Sequence, residues 1–159
     1  MITASELAGY FAAHALWSLS DAETFHPILA YTTEDDAKHM ERIITPTAEE
    51  AVEYGRKQLD HSDKDPTDIV LLYDGRVTGD EPRDAVIIEL RCYAFPWAKA
   101  TYGVPYAPKA SGRFAVFRPV VLRWEDCADF DLDRAFERFF AGADAHETGG
   151  ALWRAHRVE

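Results

Sequence analysis

The sequence predicts one α+β domain, spanning residues 1–159, in which helices pack on a mainly antiparallel sheet as in a two-layer sandwich. Three observations favour this fold class. The chain has 159 residues, a usual size for one domain. Helix-like and strand-like patterns follow in the order helix, strand, helix, strand pair, strand, helix. Short turns rather than helices join consecutive strands, which favours antiparallel pairing over a parallel doubly wound sheet.

The first helix and the first strand are predicted within the first 33 residues. Thr3 and Glu6 have the spacing of a capping box, which predicts a helix from residue 4 to about residue 18. The segment 25–33 is rich in aromatic, aliphatic and β-branched residues, as is typical of a strand. Pro27 lies near its start, so we expect either an edge position or a strand end there.

A short strand and a second helix are expected next. The strand is predicted around residues 42–44, after a polar segment. Thr47 and Glu50 form another capping box, and small or apolar residues recur at helical spacing as far as Asp60. This pattern predicts a helix with a narrow apolar stripe.

The strongest strand pattern in the chain is that of an antiparallel hairpin. Its two strands are predicted over 69–78 and 84–95, with a turn-rich segment between them. Residues 69–72 and 85–88 are apolar at every position, which is expected of strands that are covered on both faces. The Asp74-Gly75 pair inside the first strand predicts a β-bulge.

The C-terminal part is expected to add a looser region, a strand and a helix. Residues 96–108 contain three prolines, which favours loops and extended segments, with or without one more strand. A long strand is predicted over 113–124, with an edge, a bulge or a change of partner at Pro119. Asp131 is the expected N-cap of the last long helix, which Gly149-Gly150 ends or kinks.

Charge is unevenly distributed along the chain. The 28 acids and 17 bases give a net charge of −11, which argues against binding to duplex nucleic acid. Residues 21–65 are rich in acids, and five more acids lie within 125–133. Residues 90–124 contain no acid and six Lys or Arg residues, interspersed with aromatic residues. Two stretches, 91–124 and 21–65, are therefore candidate contact surfaces.

The basic, aromatic stretch has two interpretations. It is a surface that binds an anion or a partner by charge and stacking, or its arginines pair with acids while its aromatic rings fill the core. Arg118 is the most ambiguous residue, because strict alternation places it on an apolar face, where it needs a partner, whereas a bulge at Pro119 turns it outward. The predicted binding residues are Arg91, Arg113, Arg118, Arg123, Trp97, Tyr102 and Tyr106.

The acidic segments also have two interpretations. Dense surface carboxylates keep a protein soluble and prevent association. They also attract basic partners and raise the rate of association with them. Both interpretations stay open from the sequence alone.

Motifs for catalysis, cofactors and metals are absent from the sequence. It has no glycine-rich phosphate loop, no GxSxG and no HExxH, and its histidines are dispersed, so we expect neither a metal nor a cofactor. The enzyme constellation that the chain allows has His14 and His26 as candidate bases, with Ser18, Asp21 and Glu23 around the same turn. His14 also lies on the apolar stripe of its helix, which is typical of a core histidine.

The sequence also bears on the cellular compartment. No stretch reaches the roughly 20 apolar residues of a membrane-spanning helix, so no membrane partner is expected. Cys92 and Cys127 have neither disulfide-framework nor metal-site spacing, which fits a reducing cytoplasm. Cys92 lies among apolar strand residues, where an inert thiol is expected.

Together these patterns predict a small soluble protein that acts by binding rather than by catalysis, with a protein or a small anionic ligand as its partner. The alternative is a small-molecule enzyme, hydrolase-like, that uses a histidine and a carboxylate in an aromatic-lined pocket. The abundance of aromatic residues leaves both a monomer and a homodimer open.

Overall fold

A computed structural model, which describes residues 1–22 and 24–158, has the predicted α+β fold. The α-helices in the described residues are α1 (Ile2–Asp21), α2 (Ala48–Asp60), α3 (Leu132–Ala145) and α4 (Gly149–His156). The strands are β1 (Ile28–Thr32), β2 (Lys38–Arg42), β3 (Asp68–Val77), β4 (Arg83–Cys92), β5 (Lys99–Ala107), β6 (Ala115–Val116) and β7 (Val120–Glu125).

All seven strands belong to one sheet, and every pair of these strands is antiparallel, as predicted. The strand order is β2-β1-β3-β4-β5-β6. The seventh strand, β7, pairs with the first half of β5, whereas β6 pairs with the end of β5. The long β3–β4 hairpin therefore forms the centre of the sheet.

Helices cover both faces of the central hairpin. Val70 and Leu72 belong to the main core under α1, α3 and α4, whereas the alternating Ile69 and Leu71 pack with Leu59 of α2 on the other face. This confirms the prediction that 69–72 is covered on both faces. Because α2 packs on the face opposite α1, α3 and α4, helices lie on both sides of the sheet, which differs from the predicted two-layer sandwich.

The start of α1 differs from the prediction. The helix begins at Ile2 with Met1 as its N-cap, which makes no side-chain capping bond, so the predicted Thr3–Glu6 capping box is wrong. Glu6 instead forms an ion pair with Arg138 of α3. The Glu6 carboxylate is thus bound in an ion pair between two helices, and not in the capping bond that the local pattern predicts.

The two other predicted N-caps are confirmed. Thr47 Oγ1 accepts a hydrogen bond from the Glu50 amide at 3.2 Å, and Asp131 Oδ1 accepts one from the Arg134 amide at 3.1 Å. The Gly149-Gly150 pair lies beyond the end of α3 and begins α4. These glycines are needed for close packing, since a Cβ on Gly149 would lie 2.4 Å from the Ala13 carbonyl oxygen of α1.

The hairpin is confirmed, but the bulge at Asp74-Gly75 is wrong. The β3–β4 register is continuous through this pair, with Gly75 opposite Ala85. A Cβ on Gly75 would lie 2.8 Å from Cγ1 of Ile87, which belongs to the neighbouring strand. Close side-chain packing, rather than an irregular backbone, therefore explains this glycine.

The prediction of one long strand over 113–124 is wrong, because the strand is interrupted. It divides into β6 and β7, and residues 117–119 lie in neither. The Phe117 amide bonds to the Pro105 carbonyl at 2.8 Å, and Pro119 has no amide hydrogen for a strand ladder. Arg118 is exposed in this break, so the outward alternative for its side chain holds.

Smaller shifts affect the remaining strands. β1 starts directly after Pro27, so this proline marks the end of the strand, which is one of the two predicted alternatives. The other alternative, an edge position, does not hold, because β1 lies between β2 and β3. The second strand covers Lys38–Arg42, a few residues before the predicted 42–44. The region 96–108 contains β5, so of the two alternatives predicted for it the one with an additional strand holds.

Candidate functional site

Three of the predicted binding residues lie in the protein interior. Arg91 is 6% exposed and its Nε donates to Asp60 Oδ1 at 3.0 Å, which ties β4 to the end of α2. Tyr102 has no exposed surface and shares a 2.6 Å hydrogen bond with Ser5 of α1. Tyr106 is 4% exposed and lines a cavity near the end of β5. The strand period places both tyrosines on the core face of β5.

The other four predicted binding residues lie on the surface but apart in the fold. Arg123 is on β7 and pairs with Glu125 of the same strand. Arg113 and Arg118 lie before and after β6, and Trp97 lies in the turn between β4 and β5. The seven residues therefore do not converge on one surface, and their role in anion binding stays a prediction.

A cavity of about 610 Å³ opens between the C-terminal end of α1 and the end of β5. Its charged lining residues are Asp21 of α1, Asp74 of β3, Asp84 of β4 and Lys109 in the turn after β5. Three acidic residues and one lysine thus line this site, which we name the acidic cavity. Its volume is in the range that holds small ligands.

Asp74 accepts a hydrogen bond from another lining residue of the acidic cavity. The Tyr106 hydroxyl donates to Asp74 Oδ1 at 2.8 Å. Burial raises the pKa of Asp74; the Tyr106 hydrogen bond lowers it, and the neighbouring Asp84 carboxylate raises it again. Asp84 itself lies 3.3 Å from Nη1 of Arg76 at the surface. Together these effects raise the pKa of Asp74 above that of a free aspartate, so its ionised form is less favourable here than in water.

Sequence reasoning missed Asp74 and Asp84 as site residues. The signal was present for Asp74, because the strand period places it on the same face as the core residues Val70 and Leu72. A carboxylate in such a position needs a physical explanation. The predicted bulge at Asp74-Gly75 supplied a different explanation, because a bulge changes the direction in which a side chain points.

A second polar cluster joins His14 of α1 to His146 in the α3–α4 junction. His14 Nδ1 and His146 Nε2 are 3.2 Å apart, and His146 Nδ1 accepts a hydrogen bond from the Gly149 amide at 2.8 Å. Since His146 Nδ1 is an acceptor, its hydrogen is on Nε2 and is donated to His14. The hydrogen of His14 is then on Nε2, which is buried and has no partner within the described residues.

The candidate bases His14 and His26 line one small cavity of about 190 Å³, together with Ser18 and Arg42. The structure thus brings together most of the predicted enzyme constellation. Asp21 lines the acidic cavity instead, and Glu23 lies outside the described residues.

Both paired histidines are held in their neutral forms. Burial lowers the pKa of His14, and the facing His146 and Arg42 lower it further. Burial also lowers the pKa of His146, against a smaller opposite effect of the Glu147 carboxylate. A proton on His146 Nδ1 would remove the acceptor of the Gly149 amide, and a proton on His14 Nδ1 would point two N–H groups at each other.

The histidine pair should make stability depend on pH. In the unfolded chain both rings titrate at about pH 6.5, whereas the folded state binds protons only at lower pH. The stabilisation is therefore complete above about pH 6.5 and is lost as the pH falls, by up to about 1.4 kcal/mol per pH unit for each histidine. Urea unfolding between pH 7.5 and 5 measures it.

A double variant, His14→Phe with His146→Asn, is the matched control for this pH dependence, because asparagine retains an acceptor for the Gly149 amide. We expect its stability to fall less steeply below pH 6.5 than that of the wild type. Equal slopes for the two proteins would contradict the assignment of neutral rings.

Comparison of the chain with protein-family models, with curated proteins and with solved structures finds no match. Among the residues that the structure describes, no helix is long and apolar enough to cross a membrane. Within the same residues, no group of three or more His, Cys, Asp and Glu side chains is arranged to hold a metal ion. The chemistry of the two cavities is therefore the guide to function.

Proposed function

We propose that this is a binding protein that takes up a positively charged group of its partner in the acidic cavity. One observation carries the proposal: of the described residues, Asp21, Asp74 and Asp84 line a ligand-sized cavity to which Lys109 adds one basic side chain. An ammonium or guanidinium group there would be attracted by the excess of carboxylates.

The state of Asp74 supports a cationic rather than an anionic ligand. Its ionised form is disfavoured in the free protein, and a bound cation would reverse that effect. A carboxylate with a shifted pKa in a cleft is a feature of functional sites. The net charge of −11 would also attract a cationic partner from a distance.

Calorimetric titration with butylguanidinium, which carries one positive charge, tests the proposal, with uncharged butylurea as the comparison ligand. We expect butylguanidinium to bind and butylurea not to bind. Because a cation lowers the pKa of Asp74, binding should release protons at mildly acidic pH, which is measured by repeating the titration in buffers of different ionisation enthalpy.

Asp74→Asn should weaken butylguanidinium binding at least tenfold and abolish the proton release. Glu137→Gln removes an exposed carboxylate that does not line the cavity and should bind as the wild type does. Equal affinity for butylguanidinium and butylurea, or for the wild type and Asp74→Asn, would overturn the proposal.

Without a ligand, Asp74→Asn should stabilise the protein at neutral pH. A raised pKa means that the folded protein loses stability as Asp74 ionises, whereas asparagine retains an acceptor for the Tyr106 hydroxyl. Because the side chain is partly exposed to solvent, we expect a rise in melting temperature of only about 1–2 °C at pH 7.5. The difference should disappear below about pH 4, where both side chains are neutral. A lower melting temperature at pH 7.5 would contradict this expectation.

A second candidate function is hydrolysis of a small molecule at the histidine cavity. It is favoured by the observation that His14, His26 and Ser18 line one cavity. His26 is exposed and is the base that a substrate would reach. Hydrolysis of p-nitrophenyl acetate by the wild type and by His26→Ala tests this candidate, and equal rates would remove it.

A further inference from the structure

Three aromatic rings form an exposed cluster at the corner where β4 leads into β5. Trp97 is 55% exposed and Phe95 is 37% exposed, and Phe130 of the segment after β7 is partly buried against the main core. Phe95 packs edge-on to both neighbours, with ring centroids 5.8 Å from Trp97 and 5.2 Å from Phe130. We name this surface the aromatic corner.

The backbone holds the aromatic corner in a defined shape. The Phe95 amide bonds to the Cys92 carbonyl at 3.0 Å, and the Ala98 amide bonds to the Phe95 carbonyl at 3.0 Å. Phe130 is held by a similar turn, since its amide bonds to the Cys127 carbonyl at 3.0 Å. Rings that are ordered before binding lose little conformational entropy on binding.

The second acidic segment of the chain forms the rim of the aromatic corner. Its first residue, Glu125, is in register with Lys99 at the start of β5, and the Cys127 thiol lies 3.8 Å from the Lys99 carbonyl oxygen. The segment therefore runs beside the turn that carries Trp97. Its exposed acids are Glu125, Asp126, Asp129, Asp131 and Asp133.

Glu125 of the rim pairs with Arg123, but within the described residues no cation stacks on the Trp97 ring. The cation–π contacts found there use the rings of Tyr10, Tyr73, Phe117, Phe140 and Trp153. Trp97 is not among them. An exposed Trp with an acidic rim combines the aromatic anchor and the charged periphery that characterise protein–protein contacts.

We infer that the aromatic corner is a docking surface for a peptide segment of another protein that carries arginine or lysine beside apolar residues. The apolar residues cover Phe95 and Phe130, a cationic side chain stacks on the Trp97 ring, and further basic residues face the acidic rim. The surface is separate from the acidic cavity, because the corner adjoins the start of β5 and the cavity adjoins its end.

Fluorescence anisotropy with a labelled peptide of alternating arginine and leucine tests the inference, with a peptide of alternating glutamate and leucine for comparison. We expect only the basic peptide to bind. Trp97→Ala should weaken binding at least tenfold. Asp126→Asn combined with Asp129→Asn should weaken it about threefold and reduce its salt dependence.

A control variant tests whether the peptide binds at the aromatic corner itself. Trp17→Ala removes another exposed Trp, on α1, and should leave the affinity unchanged. Unchanged binding by Trp97→Ala, or equal binding of the two peptides, would overturn the inference. A wild-type dimer that Trp97→Ala dissociates in sedimentation experiments would also overturn it, because the corner would then be a contact between copies.

Discussion

Gly9→Ala is expected to destabilise the protein by at least about 2 kcal/mol, although alanine favours a helix over glycine by about 1 kcal/mol. A Cβ on Gly9 of α1 would lie 1.9 Å from the Phe139 carbonyl oxygen of α3. The reciprocal contact is as close, since a Cβ on Gly142 would lie 2.0 Å from the Glu6 carbonyl oxygen. These neighbours are backbone atoms, so the two helices would have to separate.

Urea unfolding measures this effect. Gly142→Ala should show a similar loss, because it obstructs the same helix contact. The control is Ala141→Ser, which adds one atom at an exposed position next to Gly142 and should change the free energy of unfolding by less than about 0.5 kcal/mol. An increase in stability on Gly9→Ala, as in an unobstructed helix, would contradict the close packing of α1 on α3.

Arg56→Ala should destabilise the protein by about 2 kcal/mol, less than the loss of a fully buried pair, because the Arg56 side chain is 56% exposed and solvent screens its charge. Its Nε donates to Glu89 Oε2 at 2.9 Å, and the Tyr73 hydroxyl donates to the same oxygen at 2.8 Å. Glu89 is only 6% exposed in the centre of the sheet. Without Arg56, the buried carboxylate would lose its cationic partner.

The neighbouring Lys57→Ala is the matched control for Arg56→Ala. Lys57 is 74% exposed and lies 3.9 Å from the similarly exposed Glu53, so its loss should change stability by less than about 0.5 kcal/mol. Glu89→Gln in the Arg56→Ala background should restore part of the lost stability, because it removes the buried charge. Equal effects of Arg56→Ala and Lys57→Ala would show that the ion pair contributes no more than a surface pair does.

The candidate sites differ in how far the sequence predicted them. His14, His26 and Ser18 were predicted because they lie close together in the chain around one helix end. His146 could not be found in this way, since it is 132 residues from His14 and only the packing of α1 against the α3–α4 junction joins them. Sequence separation thus set the limit of prediction.

The basic stretch illustrates a second limit. Its charges are consecutive in the chain, but β4 and β5 direct alternate side chains to opposite faces, and each strand has different neighbours. Arg91 is paired inside the fold with Asp60, whereas Trp97 lies exposed in a turn. Charge along the sequence therefore did not indicate charge on one surface.

The sequence by itself determined the α+β class, the antiparallel hairpin and the N-caps at Thr47 and Asp131, because these depend on local periodicity and on hydrogen bonds between residues three apart. Only the tertiary structure decided the roles of Gly9 and Gly142, the burial of Glu89 and the meeting of Asp21, Asp74 and Asp84 around one cavity. The physical reason is that these features depend on distances between elements far apart in the chain, and each requires a neighbour that no local pattern specifies.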